Sequence, residues 1–209
     1  MALDTYANLK TEIANYLNRD DLTSYLDTFI DLAESRMSRD LRLREMEEID
    51  TSTTTVSGTQ TYDLPTGYLE MRYVALQTSP YRFLRYVTPP DFMRLYNLGV
   101  GNGASTHYTI IKNKIHLGKA PDSADVIQFG FFKRPTALSR SNTRNDILTY
   151  FPDLYLYSAL AESEPFLMND ERLKVWANLY LEGVKTANES AQRGRTSSAP
   201  LQMSSYMVV

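Results

Sequence analysis

The sequence predicts an α+β fold. Both ends of the chain form one antiparallel helical bundle, an antiparallel β module is inserted between them, and an extended C-terminal arm follows. Three observations predict it. Apolar residues recur at helical spacing at both ends of the chain. Short runs rich in threonine and aromatic residues, separated by turn residues, fill the middle. The last stretch keeps apolar residues but loses the helical period. The boundaries that follow are 1–48 and 136–192 for the bundle, 49–135 for the β module with one short helix, and 193–209 for the arm.

The first helix spans Thr5 to Asn18, with Tyr6, Leu9, Ile13, Tyr16 and Leu17 on one face and Asp4 or Thr5 as its cap. A longer helix runs from about Thr23 to Glu48. Its apolar stripe is Leu22, Leu26, Phe29, Ile30, Ala33, Met37 and Leu41, and its other face carries Asp31, Glu34, Arg36, Arg39, Asp40, Arg42 and Arg44. The pair is antiparallel, joined by residues 18–21. Strand character begins at Ile49. Residues 51–56 and 60–64 read as a hairpin about Ser57-Gly58-Thr59. Leu69–Gln77 and Tyr81–Val87 are two more strands. Thr88-Pro89-Pro90-Asp91 opens a short helix with proline in its first turn. Residues 99–103 form a glycine-rich loop, His107–Lys112 and Ile115–Leu117 a hairpin, and Val126–Lys133 a last strand. Helices return at Phe151-Pro152-Asp153. That helix is apolar on most sides, which marks a buried one, and Glu164-Pro165 ends or kinks it. Asn169-Asp170-Glu171 caps a final helix to about Ala191, with Leu173, Trp176, Tyr180, Leu181, Val184 and Ala187 as its stripe.

Composition narrows the function classes. The 209 residues are 43% hydrophobic and 22% charged, enough to bury a core. There are no cysteines, so disulfides and thiolate metal sites are excluded. No apolar run is long enough for a membrane span, and the first residues lack the basic-then-apolar pattern of a secretion signal, so folding in a host cytoplasm is the expectation. The net charge of −3 gives no overall basic footprint for gripping nucleic acid. Tyrosine is abundant at 15, and its apolar ring with a polar tip suits interfaces.

Catalytic signals are weak. His107 and His116 flank a hairpin, but no third ligand stands at a recognised spacing. Gly99, Gly101 and Gly103 precede a strand, whereas a phosphate loop opens a helix. The acid pairs Glu47/Glu48 and Glu162/Glu164 could in principle serve a cell-wall-degrading enzyme, but they fall at helix ends, where solvated or ion-paired acids are common. The expectation is no catalytic, metal or cofactor site and no small-molecule substrate. Arg36, Arg39, Arg42 and Arg44 could touch DNA, but interleaved acids make a solvated face or intersubunit ion pairs the better reading. In the arm, Arg193 and Arg195 precede the apolar residues Leu201, Met203, Tyr206 and Met207. Leu201 and Met203 alternate as in a strand, which suits strand addition to a neighbouring subunit or partner.

Several ordered blocks resemble one known family. These are the N-terminal residues 5–47, the central YDLPTGYLEMRYV (62–74) and YTIIKNKIHLGKAP (108–121), and PDLYLYSALAESEPFLMNDERLKVWANLY (152–180). Together they resemble the head-to-tail adaptor, or connector, proteins of tailed bacteriophages. The resemblance implies a ring, typically of twelve subunits, docked beneath the portal in the virion neck. Such a ring extends the DNA channel and is a platform for tail or nozzle proteins. It implies no catalytic residues. The four arginines of the second helix, Arg193, Arg195 and the apolar arm residues are then the candidate contacts with portal or neighbour. DNA passes without specific binding. The alternative is a nucleic-acid-binding virion protein that uses those helix arginines.

Overall fold

A computed structural model describes residues 3–19, 21–96, 101–167 and 170–196. The fold is mixed α+β, with six α-helices and a seven-stranded sheet among the described residues. The chain divides into two compact units, 1–45 with 135–209, and 46–134.

In the helical unit, α1 spans Tyr6–Leu17. The Thr5 hydroxyl accepts the Asn8 amide at 3.3 Å and so is the cap, while Asp4 accepts the Asn8 side chain. The helix stops at Asn18, which takes a left-handed conformation with φ 53°. Tyr6, Leu9, Ile13 and Leu17 are buried, and Tyr16 is left half exposed. α2 spans Leu26–Asp40, with Leu26, Phe29, Ile30, Ala33 and Met37 buried. It is therefore shorter than the periodicity predicts, ending at Asp40 instead of Glu48. Beyond it burial alternates: Leu41 and Leu43 are fully buried, Arg42 is partly so, and Arg44 is exposed. That is the period of extended chain, and it leads into a 3-10 turn at Arg44–Met46.

A five-residue helix, α4 (Asp146–Tyr150), precedes the expected one. Its Asn145 side chain accepts the Leu148 amide at 2.9 Å. α5 spans Pro152–Leu167 and is buried on most sides, since α1, α2, α4 and α6 all pack on it. It does not end at Pro165. Proline lies inside the last turn, and the helix continues to Leu167. α6 spans Asp170–Thr196, so Arg193 and Arg195 lie in its last turn and not in an extended arm. Tyr180, Val184, Ala187 and Ala191 are its buried row. Gly183 lets α5 come close, because a Cβ there would stand 2.6 Å from Leu154 Cδ2. Residues 197–209, and with them Leu201, Met203, Tyr206 and Met207, lie outside the described residues.

The second unit holds β1 (Glu47–Thr54), β2 (Thr61–Asp63), β3 (Tyr68–Leu76), β4 (Arg82–Tyr86), α3 (Pro89–Leu95), β5 (His107–Ile111), β6 (Lys114–Leu117) and β7 (Val126–Lys133). The strand order is β1-β7-β3-β4-β5-β6-β2. Two expectations are corrected here. β1 and β2 do not form a hairpin: they pair with β7 and β6 and are the two edges of the sheet. Nor is the sheet wholly antiparallel, because β4 and β5 run parallel. α3 supplies the crossover that a parallel pair requires. A flat sheet of seven strands is about 29 Å across, while the connection over residues 55–60 reaches about 24 Å. The sheet therefore curls. At the closure, the Tyr62 hydroxyl meets the Val56 amide at 3.0 Å, and the Gly58 amide donates to the Pro121 carbonyl at 3.1 Å. Inside the curl Val74, Leu76, Ile115, Leu117, Ile127, Phe129 and Phe131 are buried. Burial there pushes the Tyr108 phenol up to about 12.

Candidate functional site

The four arginines singled out from the sequence do not share a helix face. Arg36 is held inside the helical unit, 3.0 Å from Glu162 Oε1 and with its guanidinium 4.9 Å from the centre of the Tyr180 ring. Arg42 folds back on the end of α2. Its guanidinium donates to the carbonyls of Ser38, Arg39 and Leu41 at 3.1, 3.3 and 2.6 Å, where the helix leaves acceptors unused and its dipole favours a cation. Arg39 is exposed and bonds Ser35 Oγ at 3.1 Å, and Arg44 is exposed on the 3-10 turn. At the far end of α6, Arg195 donates to the Arg42 carbonyl at 3.2 Å, while Arg193 is exposed. So the structure brings Arg42 and Arg195 together, and Arg36 faces inward.

The acid pairs are not a cleft pair. Glu47 lies 3.9 Å from Arg72, and Glu48 lies 2.8 Å from Lys133, on the edge strand β1. Both are strand residues, not helix-end residues. Glu162 is paired with Arg36. Glu164 is completely buried, which corrects the expectation of a solvated acid. Its Oε1 accepts the Trp176 indole N–H at 3.1 Å and stands 3.5 Å from Arg172. Trp176 stacks on Tyr157 and meets Tyr16 edge-on, so this corner is a packed aromatic cluster. Burial also lifts the Glu34 carboxyl above the usual carboxylate range, against the Leu138 amide and Tyr155 hydroxyl that donate to it.

His107 and His116 are not opposite one another. His116 pairs with Thr109 across the hairpin and bonds Thr61, while His107 Nδ1 is 2.6 Å from the Tyr96 hydroxyl. Among the described residues no group of three or more His, Asp or Glu side chains is placed to hold a metal. Gly99 lies outside the described residues. Gly103 donates its amide to Ala120 and has Lys119 and Asp122 as neighbours.

What the structure adds is a pair of surfaces on the helical unit that the apolar stripes do not mark. Between α1 and α2 runs a groove of about 430 Å3, with Tyr6, Ala7, Ala14 and Leu26 in its walls and Lys10 and Arg140 at its rim. On the α5–α6 side, Tyr150, Val175 and Leu179 are exposed, and Phe151 and Leu179 line a second hollow with Asp153 and Glu182. Val175 and Leu179 lie off the stripe of α6, one turn apart. That spacing is the only sign of them in the sequence.

Residues 4–204 match the family model described as SU10 adaptor protein. No curated protein matches the chain. No helix of the described residues is long and apolar enough to cross a membrane.

Proposed function

Because the chain belongs to the SU10 adaptor family of phage head-to-tail adaptors, we propose that it is a non-enzymatic neck protein. It forms a ring of twelve copies beneath the portal, extends the DNA channel and anchors tail or nozzle proteins. The observation that carries this is the extent of the match, which takes in both units of the chain.

The side chains support it. Arg36 and Arg42, the strongest candidates for phosphate contacts, are engaged within the subunit. A net charge of −3 suits a channel along which DNA slides instead of one that grips it. Arg39, Arg44 and Arg193 are exposed and are offered as contacts with portal or neighbour. Leu201, Met203, Tyr206 and Met207 are proposed to reach the same partners as an arm, and the β unit to face the tail. The test is the oligomeric state with and without the portal, by mass measurement or negative-stain imaging. Rings on the portal are expected. A chain that stays monomeric and never joins a portal overturns the reading.

A further inference from the structure

A ring needs two different surfaces on each subunit, one for each neighbour. The helical unit carries two such surfaces with opposite character. One is a ridge. Tyr150 is 63% exposed and Val175 53%, and Leu179 follows Val175 by one turn of α6. Asp153 and Glu182, both exposed, stand beside Leu179 in the same hollow. The ridge is therefore large, apolar and flanked by acids.

The other surface is the groove between α1 and α2. Its walls are apolar or small: Tyr6, Ala7, Ala14 and Leu26. Its rim is cationic. Lys10 reaches Asp27, and Arg140, exposed in the loop before α4, also bears on the Asp27 carboxylate, which these cations and the Tyr6 hydroxyl hold below the usual range. Two cations against one acid leave the rim with positive charge. The ridge and the groove share no residue.

We propose that the occupant of the groove is a second copy of this chain: the Tyr150–Val175–Leu179 ridge of one subunit seats on the α1–α2 groove of the next. Large side chains enter a hollow of about 430 Å3. Asp153 and Glu182 approach Arg140 and Lys10. Each copy offers its ridge to one neighbour and its groove to the other, so the contact is heterologous and closes into a ring. Opposite charges fix the direction of travel around it, because ridge against ridge and groove against groove both repel. This rests on the ring reading above and names the surfaces that make it.

Two charge-reversed chains test it: D153K with E182K, and R140E with T11E. Thr11 is an exposed groove residue whose hydroxyl bonds only the Ala7 carbonyl. Full-length chains are titrated onto the portal ring, and ring formation is followed by native mass spectrometry. Each variant alone is expected to need roughly tenfold or more protein for half-assembly. An equimolar mixture is expected to recover wild-type assembly, because copies that alternate around the ring restore every charge pair. The milder D153N with E182Q guards against misfolding and is expected to weaken assembly in the same direction. Variants that each assemble like wild type overturn the surface and leave the ring standing. A mixture that stays as defective as its parts overturns the pairing. A wild-type chain that never forms rings removes the reading on which both rest.

Discussion

Asn188 shows how one side chain settles where an element ends. Its amide N–H donates to the Asp40 carbonyl at 3.0 Å, and its carbonyl accepts the Arg42 amide at 2.9 Å. Two backbone groups that the end of α2 would leave unpaired are thus satisfied from α6. Asn188→Ala removes both bonds, and the expected loss in a denaturant melt is about 1–3 kcal/mol. Asn188→Asp keeps the acceptor but loses the donor, and is expected to cost less than alanine. Glu34 offers a different readout. Its folded carboxyl titrates above the usual range because burial disfavours the charge. The folded chain therefore holds a proton that the unfolded chain has already released. The resulting stability is fully present below the usual carboxylate range and is lost as pH rises through the raised folded value. Glu34→Gln keeps an oxygen for the Leu138 amide and the Tyr155 hydroxyl but does not titrate. Thermal melts between about pH 4 and pH 8 are expected to show a shallower fall of stability with pH in the variant. An unchanged slope places the pH dependence elsewhere.

At the scale of elements, the outer face of the sheet depends on one glycine. Gly130 on β7 lies under the ring of Tyr73 on β3, whose hydroxyl accepts from Gln128 at 2.9 Å. A Cβ at Gly130 would stand 2.2 Å from Tyr73 Cε1. Gly130→Ala is expected to destabilise the chain by about 1–3 kcal/mol. Most of that cost is expected to vanish in a Tyr73→Ala background, and a double-mutant cycle measures the coupling. β7 itself was legible in the sequence, because Ile127, Phe129 and Phe131 alternate with the residues that face the other way. The α1 stripe was legible for the same reason. The end of α2 was not. Leu41 and Leu43 continue an apolar pattern that a helix or a strand could carry, and Asn188, which decides between them, is far away in sequence. The β1–β2 hairpin failed similarly. Ser57-Gly58-Thr59 does make a turn, with Gly58 at φ 79°, but the strands on either side find their partners in β7 and β6. α4 was legible and missed, since Asn145-Asp146 is a recognisable helix start. Among the candidate contacts, the arginines showed plainly as residues. Their roles were hidden, because capping and internal ion pairs are tertiary events.

For the whole molecule, the path of the chain matters more than any contact. The helical unit is interrupted after residue 45 and resumes at 135. Glu47 on β1 pairs with Phe132 on β7, so the inserted unit leaves close to where it entered. Paired residues of antiparallel strands have Cα atoms about 5 Å apart. An insertion with adjacent ends leaves its host almost uninterrupted, which is the geometry in which domain insertion is tolerated. The inserted unit also has its own core, from Tyr62 to Phe131, enclosed by its own curled sheet. Each part is therefore expected to fold without the other. Residues 46–134 expressed alone are expected to give dispersed amide NMR spectra and a single cooperative melt. Residues 1–45 joined to 135–209 by a short glycine-serine linker are expected to keep their helical circular dichroism and their own transition. In the full chain a calorimetric scan is expected to resolve two transitions, or one broader than a two-state fit allows. The joined helical unit keeps both the ridge and the groove, so it is expected to retain ring formation on the portal while losing whatever the β unit binds. A helical unit that folds but no longer assembles would move the ring contacts to the sheet.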